Sequence, residues 1–276
     1  MMNEGTNQRS CRVFLVTGAA GEIGSAISRR LAQQPEHEVV LVGRGETRLE
    51  QLAEQIMRST GNPLVRYEVV DLSRKAEVEA LAERWQGPLH VLINNAAITP
   101  RKREETPEGI ELQFATNVLG YFWMTKSFEE ILKQTARSSA PQDAPRVVNV
   151  ASYWSGDLDM SDLEFKHRSY HNGIAYRQSK QANIMLTTAF AWRMSPYGIT
   201  VNVCHPGDVR SKVSTGLGFG GSQTADESAD TPVWLAVSKD VRNVTGKYFE
   251  NRSMVRNPFL EDRAAAERLY QICEGY

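Results

Sequence analysis

Two side chains in the stretch Ala175-Tyr-Arg-Gln-Ser-Lys180 have the chemistry to move a proton. On a helix, Tyr176 and Lys180 stand four residues apart and share a face, so a phenol lies one turn from an ammonium. A free phenol titrates near ~10 and exchanges protons poorly at neutral pH, whereas a neighbouring cation favours the phenolate and lowers that value. A tyrosine so placed can serve as a general acid or base. The same pair also decorates many solvated helix faces, so its meaning depends on the elements that surround it.

Those elements read as β-branched runs alternating with amphipathic stretches. Arg12-Val-Phe-Leu-Val-Thr17 has the composition of a buried parallel strand, and it runs into Gly18-Ala-Ala-Gly21-Glu-Ile-Gly24 and a helix over 25–33 with Ile27 and Leu31 on its apolar side. In a strand, glycine turn and helix the backbone can approach a phosphate while the helix N-terminus offers it unpaired N–H groups; a tight turn without a ligand is the alternative. A second strand over 38–42 ends at Gly43-Arg44, where a dinucleotide fold reads the adenosine ribose. An acid there suits a 2'-hydroxyl and an arginine a 2'-phosphate, so Arg44 favours NADP(H) over NAD(H), unless it only caps the following helix over 47–59.

A third strand over 65–70 leads to Asp71, which either accepts a hydrogen bond from an adenine amino group or holds a turn, with Ser73 as N-cap of the next helix. The fourth strand, 89–93, ends in Asn94-Asn95-Ala96-Ala97, which suits close contact of backbone with ligand and suits a turn equally well. Thr106 and Pro107 read as N-cap and first residue of a long helix carrying Phe114, Val118 and Phe122, and Asn117 among these apolar residues calls for a polar partner. The fifth strand, 146–151, puts Ser152 just past its carboxyl end, where open parallel sheets bind ligands. After a loop with Tyr153 and Trp154 and the helix of Tyr176, a sixth strand over 199–204 meets His205-Pro206-Gly207 and a glycine-rich loop over 216–221 that could close over a substrate. A short strand over 244–249 and a helix over 260–272 finish the chain.

Composition narrows the classes. With 276 residues, 41% hydrophobic, the chain can bury a large core, and we expect one domain over 1–276 behind a polar tail, 1–11. Thirty-two basic against 33 acidic residues leave a net charge of -1, which gives no field for nucleic acid or an anionic membrane. No run is long and apolar enough for a leader or membrane anchor, so a soluble cytoplasmic protein is expected. Cys11, Cys204 and Cys273 are too few and too scattered for a disulfide framework, and His167 and His171 lack the further ligands of a metal site.

Taken in order, Thr17-Gly18 with its glycines, Asp71-Leu72, Asn94-Asn95-Ala96, Asn117, Ser152, Tyr176-x-x-x-Lys180 and Pro206-Gly207 make the chain resemble the short-chain dehydrogenase/reductase family from Val13 to Ile272. Within that family it looks most like the retinol dehydrogenase group of carbonyl reductases, through the insertion at 157–165, Ser179-Lys-Gln-Ala-Asn183 and Thr245-Gly-Lys-Tyr-Phe249. It departs from that group where Glu22 takes the place of the middle glycine and Ala97 replaces a common glycine, and the polar opening segment leads us to expect no N-terminal hydrophobic anchor. A carboxylate at 22 would weaken binding of a diphosphate unless it points away.

The resemblance implies an α/β fold: one doubly wound Rossmann domain of about seven parallel strands in the order 3-2-1-4-5-6-7, with helices on both faces. It implies a cofactor held by Gly18, Gly21, Ile23, Gly24, Arg44, Asp71, Leu72, Asn95, Ala96, Tyr176, Lys180, Pro206, Gly207 and Val209, and a substrate loop over 206–230. It implies a catalytic tetrad in which Tyr176 protonates the substrate oxygen, Ser152 donates a hydrogen bond to it, Lys180 lowers the Tyr176 pKa and holds the nicotinamide ribose, and Asn117 anchors a water that relays protons to Lys180. The expected activity is interconversion of a hydrophobic aldehyde or ketone with its alcohol, preferring NADP(H) over NAD(H), and pairing of helices across a two-fold axis would give a homo-oligomer. A dinucleotide sensor or scaffold without turnover is the alternative, disfavoured because a pure binder needs no proton donor. A nucleotide-sugar epimerase, suggested by the glycine spacing, is disfavoured because we expect no larger C-terminal substrate lobe of the kind that branch carries.

Overall fold

The structure is a computed structural model that describes residues 11–276; the tail expected over 1–11 lies, but for Cys11, outside the described residues. Its strands are β1 Arg12–Thr17, β2 His37–Gly43, β3 Val65–Val69, β4 Val91–Asn94, β5 Arg146–Val150, β6 Thr200–Cys204, β7 Tyr248–Glu250 and β8 Ser253–Val255. They form one 8-stranded sheet in the order β3-β2-β1-β4-β5-β6-β7-β8. The first seven are parallel, as the pattern of apolar runs predicts, and β5 and β6 are buried along their whole length. β8 is an addition to that expectation: it pairs antiparallel to β7 across a two-residue loop, Asn251-Arg252, whose φ angles are 47° and 59°. Without a glycine in that loop, the sequence gives no strong hairpin signal.

The helices are α1 Glu22–Ala32, α2 Glu46–Thr60, α3 Lys75–Glu83, α4 Leu112–Phe114, α5 Gly120–Ser127, α6 Glu129–Ser138, α7 Asn172–Met194, α8 Lys212–Gly216, α9 Ala225–Val237 and α10 Arg263–Glu274. Alternate residues of the strands serve opposite layers. Phe14, Val16, Val39 and Leu41 pack with the apolar residues of α1, α2 and α9. Leu15, Val40, Leu92 and Val147 pack with α3, α5, α7 and α10 on the other side. Strand order reverses between β2-β1 and β4-β5, and the crevice at the carboxyl ends of those strands is where such a sheet accepts a ligand. No helix among the described residues is long and apolar enough to cross a membrane.

Several boundaries differ from the sequence reading for local reasons. α1 starts at Glu22 rather than at 25, straight out of the glycine turn. Ser73 is not the N-cap of α3: its N–H and hydroxyl both donate to Asp71 Oδ1, at 3.0 and 2.7 Å, and Arg74 precedes the helix instead. α10 starts at Arg263, where the Asp262 carboxylate accepts from Ala265 N–H, rather than at 260. The 206–230 stretch holds α8 and the start of α9 as well as loop.

The largest shift concerns the helix expected from Thr106. Residues 106–109 instead close a turn, with Gly109 at φ 81° donating to the Thr106 carbonyl, and the helix begins at Leu112. Its cap is Glu111, whose carboxylate accepts from Gln113 N–H at 2.9 Å and Phe114 N–H at 2.6 Å. The helix then widens into a π turn over Ala115–Leu119, which carries Asn117, before α5. π turns recur at functional sites.

Glu111 is 1% exposed, and burial, reinforced by the nearby Glu164 carboxylate, outweighs the two helix N–H bonds and raises it to about 7. An acid raised on folding adds stability that is complete below its ordinary 4.5 and is lost as pH rises through about 7. Urea unfolding should therefore show wild-type stability falling, between those two pH values, by roughly 3 kcal/mol more than that of Glu111→Gln. Parallel pH dependences for the two proteins would rule out a protonated cap.

Candidate active site

The glycine turn is built by close approach. Gly18 sits at φ 64° with room for no side chain, since a Cβ there would lie 2.7 Å from Ala96 Cα. A Cβ on Gly24 would lie 2.3 Å from the Gly18 carbonyl oxygen. The turn is welded to the end of β4: Thr17 Oγ1 accepts from Asn95 N–H at 2.9 Å, and Asn95 Nδ2 donates to the Thr17 carbonyl at 2.9 Å. Asn94 faces inward instead, donating to Thr125 and Asn149.

At the carboxyl ends of the strands lies a cleft of about 1420 Å³. Every residue the sequence assigned to a cofactor borders it, from Arg44 and Asp71-Leu72 past Gly18, Gly21, Ile23, Gly24, Asn95 and Ala96 to Tyr176, Lys180, Pro206, Gly207 and Val209. Ser152 borders it too, whereas Asn117 lies behind the wall. Asp71 holds a turn: its carboxylate accepts from Ser73, while its N–H donates to Glu77. Arg44 is exposed, and Arg48, one turn along α2, borders the cleft beside it. Arg48 was missed because it is indistinguishable in sequence from a solvated helix cation.

Ser152, Tyr176 and Lys180 converge at the other end. The Ser152 hydroxyl accepts from Trp154 N–H at 3.1 Å and lies near enough to the Tyr176 phenol to pull its pKa down. Lys180 is 2% exposed, donates from Nζ to the Val150 carbonyl at 3.0 Å, and lies 5.3 Å from the Tyr121 ring centroid and 5.6 Å from that of Tyr176. Burial pushes this ammonium down to about 7. Tyr121 donates to the same Val150 carbonyl at 3.2 Å. Its part was overlooked, although it stands one turn after Asn117 in the chain.

Lys180 was expected to lower the pKa of Tyr176, and here the structure corrects the sequence reading. Tyr176 reaches the wall of the cleft with part of its ring, yet loss of hydration raises the phenol to about 12 against the pull of the Ser152 hydrogen bond. The Lys180 Nζ points to a carbonyl rather than to the phenol oxygen, and burial disfavours its own charge. The neutral acid is thus the resting form of Tyr176.

Asn117 has found its polar partners. Its Oδ1 accepts from Ile98 N–H at 2.9 Å, and its Nδ2 donates to the Ile98 carbonyl at 3.0 Å and to Ser179 Oγ at 3.3 Å. The amide therefore ties the loop after β4 to α7 beside Lys180. The mouth of the cleft is aromatic: Trp154 stands 6.2 Å from Tyr176 and 4.8 Å, edge to face, from Phe219 on the glycine-rich loop, and Tyr153 stacks edge-on against His205 at 4.5 Å. Burial drives His205 down to about 4, so its ring is neutral.

A family model described as short chain dehydrogenase matches residues 12–218. The chain is similar to retinol dehydrogenase 13 of Mus musculus, 30% identical over 94% of this chain and 81% of that protein. It is also similar to retinol dehydrogenase 12 of Homo sapiens, 32% identical over 95% and 85%. Among solved structures it is similar to an uncharacterised protein from Mycobacterium paratuberculosis, with a TM-score of 0.78 and 25% identity over 96% of this chain and 93% of the other.

The close approach at Gly24 predicts a measurable loss. Gly24→Ala should lower the free energy of unfolding by about 1–3 kcal/mol, since backbone must move to admit the methyl group. Gly220→Ala, in open space, should change it by less than about 0.5 kcal/mol. Calorimetry showing equal effects would contradict the packing of the turn.

Proposed function

The chain belongs to the short-chain dehydrogenase family and is an oxidoreductase acting on CH–OH groups, and from that premise we propose an NADP(H)-dependent carbonyl reductase for hydrophobic aldehydes or ketones. The observation that carries this reading is the convergence of Ser152, Tyr176 and Lys180 on the cleft that the glycine turn also borders. The cradle fits a dinucleotide, because the cleft runs past a turn whose Gly18, Gly21 and Gly24 present backbone without side chains and is continuous from Arg44 to Lys180. When bound, a reduced nicotinamide dinucleotide supplies the hydride.

Tyr176 then delivers its phenolic proton to the substrate oxygen, and the neutral phenol favoured by burial is the form that reduction requires. Ser152 donates a hydrogen bond to that oxygen as negative charge grows on it. Lys180, whose ammonium burial pushes down to about 7, is the proton reservoir, with the Tyr121 ring against it and Asn117 bonded to the neighbouring Ser179. Arg44, with Arg48 nearby, favours a 2'-phosphate over a 2'-hydroxyl. Trp154, Phe219 and Leu217 make the substrate end apolar, which suits a hydrophobic carbonyl compound.

Two outcomes test this reading with a panel of aldehydes and ketones. Tyr176→Phe should slow NADPH-dependent reduction by about 10²–10⁴-fold while dinucleotide binding persists; undiminished turnover would refute the assignment. Arg44→Ala should reduce the preference for NADPH over NADH in kcat/KM by about tenfold, and an unchanged ratio would remove Arg44 from cofactor selection.

A further inference from the structure

A second, shallower groove of about 540 Å³ opens beside the cleft, and its walls carry Glu22, Arg101, Arg210 and Lys212. Glu22, Ser211 and Lys212 border both spaces. Three cations thus share this groove with one carboxylate. Arg101 and Lys212 are exposed and have no ion-pair partner among the described residues, and Arg210 spends only Nε, on the Gly220 carbonyl at 3.3 Å.

The cations are displayed by shaped loops. Asp208 accepts through its carbonyl from Ser222 N–H at 2.8 Å and Gln223 N–H at 2.9 Å, closing the segment that carries Arg210 and Lys212. Gly221 lets that loop fold on itself, as a Cβ there would lie 2.3 Å from Arg210 N. Asn172 Nδ2 donates to the Gly216 carbonyl at 3.0 Å and ties the far end of the segment to α7. Arg101 comes from the loop after β4, just beyond Thr99, which touches Gly216. Glu22, the first residue of α1 after the glycine turn, lines the same groove.

A carboxylate in the middle of a phosphate-binding turn repels the group the turn is shaped for, and the charges opposite it exceed what one carboxylate neutralises. We propose that Lys212, which borders the cleft, together with Arg101 and Arg210 in the adjoining groove, forms a cationic wall that attracts the diphosphate of the dinucleotide and offsets Glu22; this rests on the dinucleotide reading given above. The wall, rather than the turn alone, then supplies the attraction, and because its members are exposed that attraction is screened by salt. An acidic substituent on the substrate presents the same anionic chemistry, and the two sources separate experimentally.

The dissociation constant of NADPH, read by fluorescence titration of the full chain, should rise about 3–10-fold in Arg101→Gln and in Lys212→Gln at low ionic strength, with the difference shrinking in about 0.5 M salt. Glu22→Gln should tighten binding about threefold. Values unchanged in all three variants, with the wild-type salt dependence retained, would overturn the proposal. So would a rise confined to KM for a carboxylated carbonyl substrate with NADPH affinity unaltered, because the groove would then serve the substrate. A wild-type protein that binds neither NADPH nor NADH would remove the dinucleotide reading itself, an outcome distinct from both.

Discussion

The Val150 carbonyl oxygen is the point on which the site depends. It lies at the end of β5 and accepts two hydrogen bonds, from Lys180 Nζ at 3.0 Å and the Tyr121 hydroxyl at 3.2 Å. A buried ammonium is costly unless its charge is met by dipoles, and here a carbonyl and two aromatic faces meet it. The same contact sets α7 against the sheet: three and seven residues beyond Lys180, Asn183 and Thr187 continue its face, and Thr187 Oγ1 accepts from Asn149 on β5. Tyr176, four residues before Lys180, is thereby brought beside Ser152 at the end of the same strand.

This packing decides the protonation states. Burial acts on both members of the pair and disfavours charge on each, so the phenol rises to about 12 and the amine falls to about 7. A bare electrostatic argument from spacing gives the opposite direction for the phenol. In the reduction proposed above, a neutral phenol is the form that donates a proton.

Much of the fold was legible because strands buried on both faces read as short, β-branched and largely apolar runs bounded by glycine or polar turns, as in β1, β5 and β6. The residues that gather at the candidate site stood out by spacing: Tyr176 and Lys180 one helical turn apart, glycines after β1, and Ser152 just past β5. What could not be read is what depends on non-local contact. Glu111 displaces Thr106 as a cap because Glu164 and the protein interior surround it, the π turn at Asn117 has no sequence signature, and the antiparallel β8 turns on two non-glycine residues with positive φ. Arg101 and Arg210 are more than a hundred positions apart, and only the fold brings them to one groove.

The central claim, that burial keeps the Tyr176 phenol protonated beside Lys180, is tested most directly by spectrophotometric titration of tyrosinate near about 295 nm, comparing wild type with Tyr176→Phe in the absence of cofactor. The account expects the difference between the two proteins to emerge only above about pH 10, since the phenol is held up to about 12. A tyrosinate signal present in wild type, missing from the variant and complete below about pH 8 would contradict it.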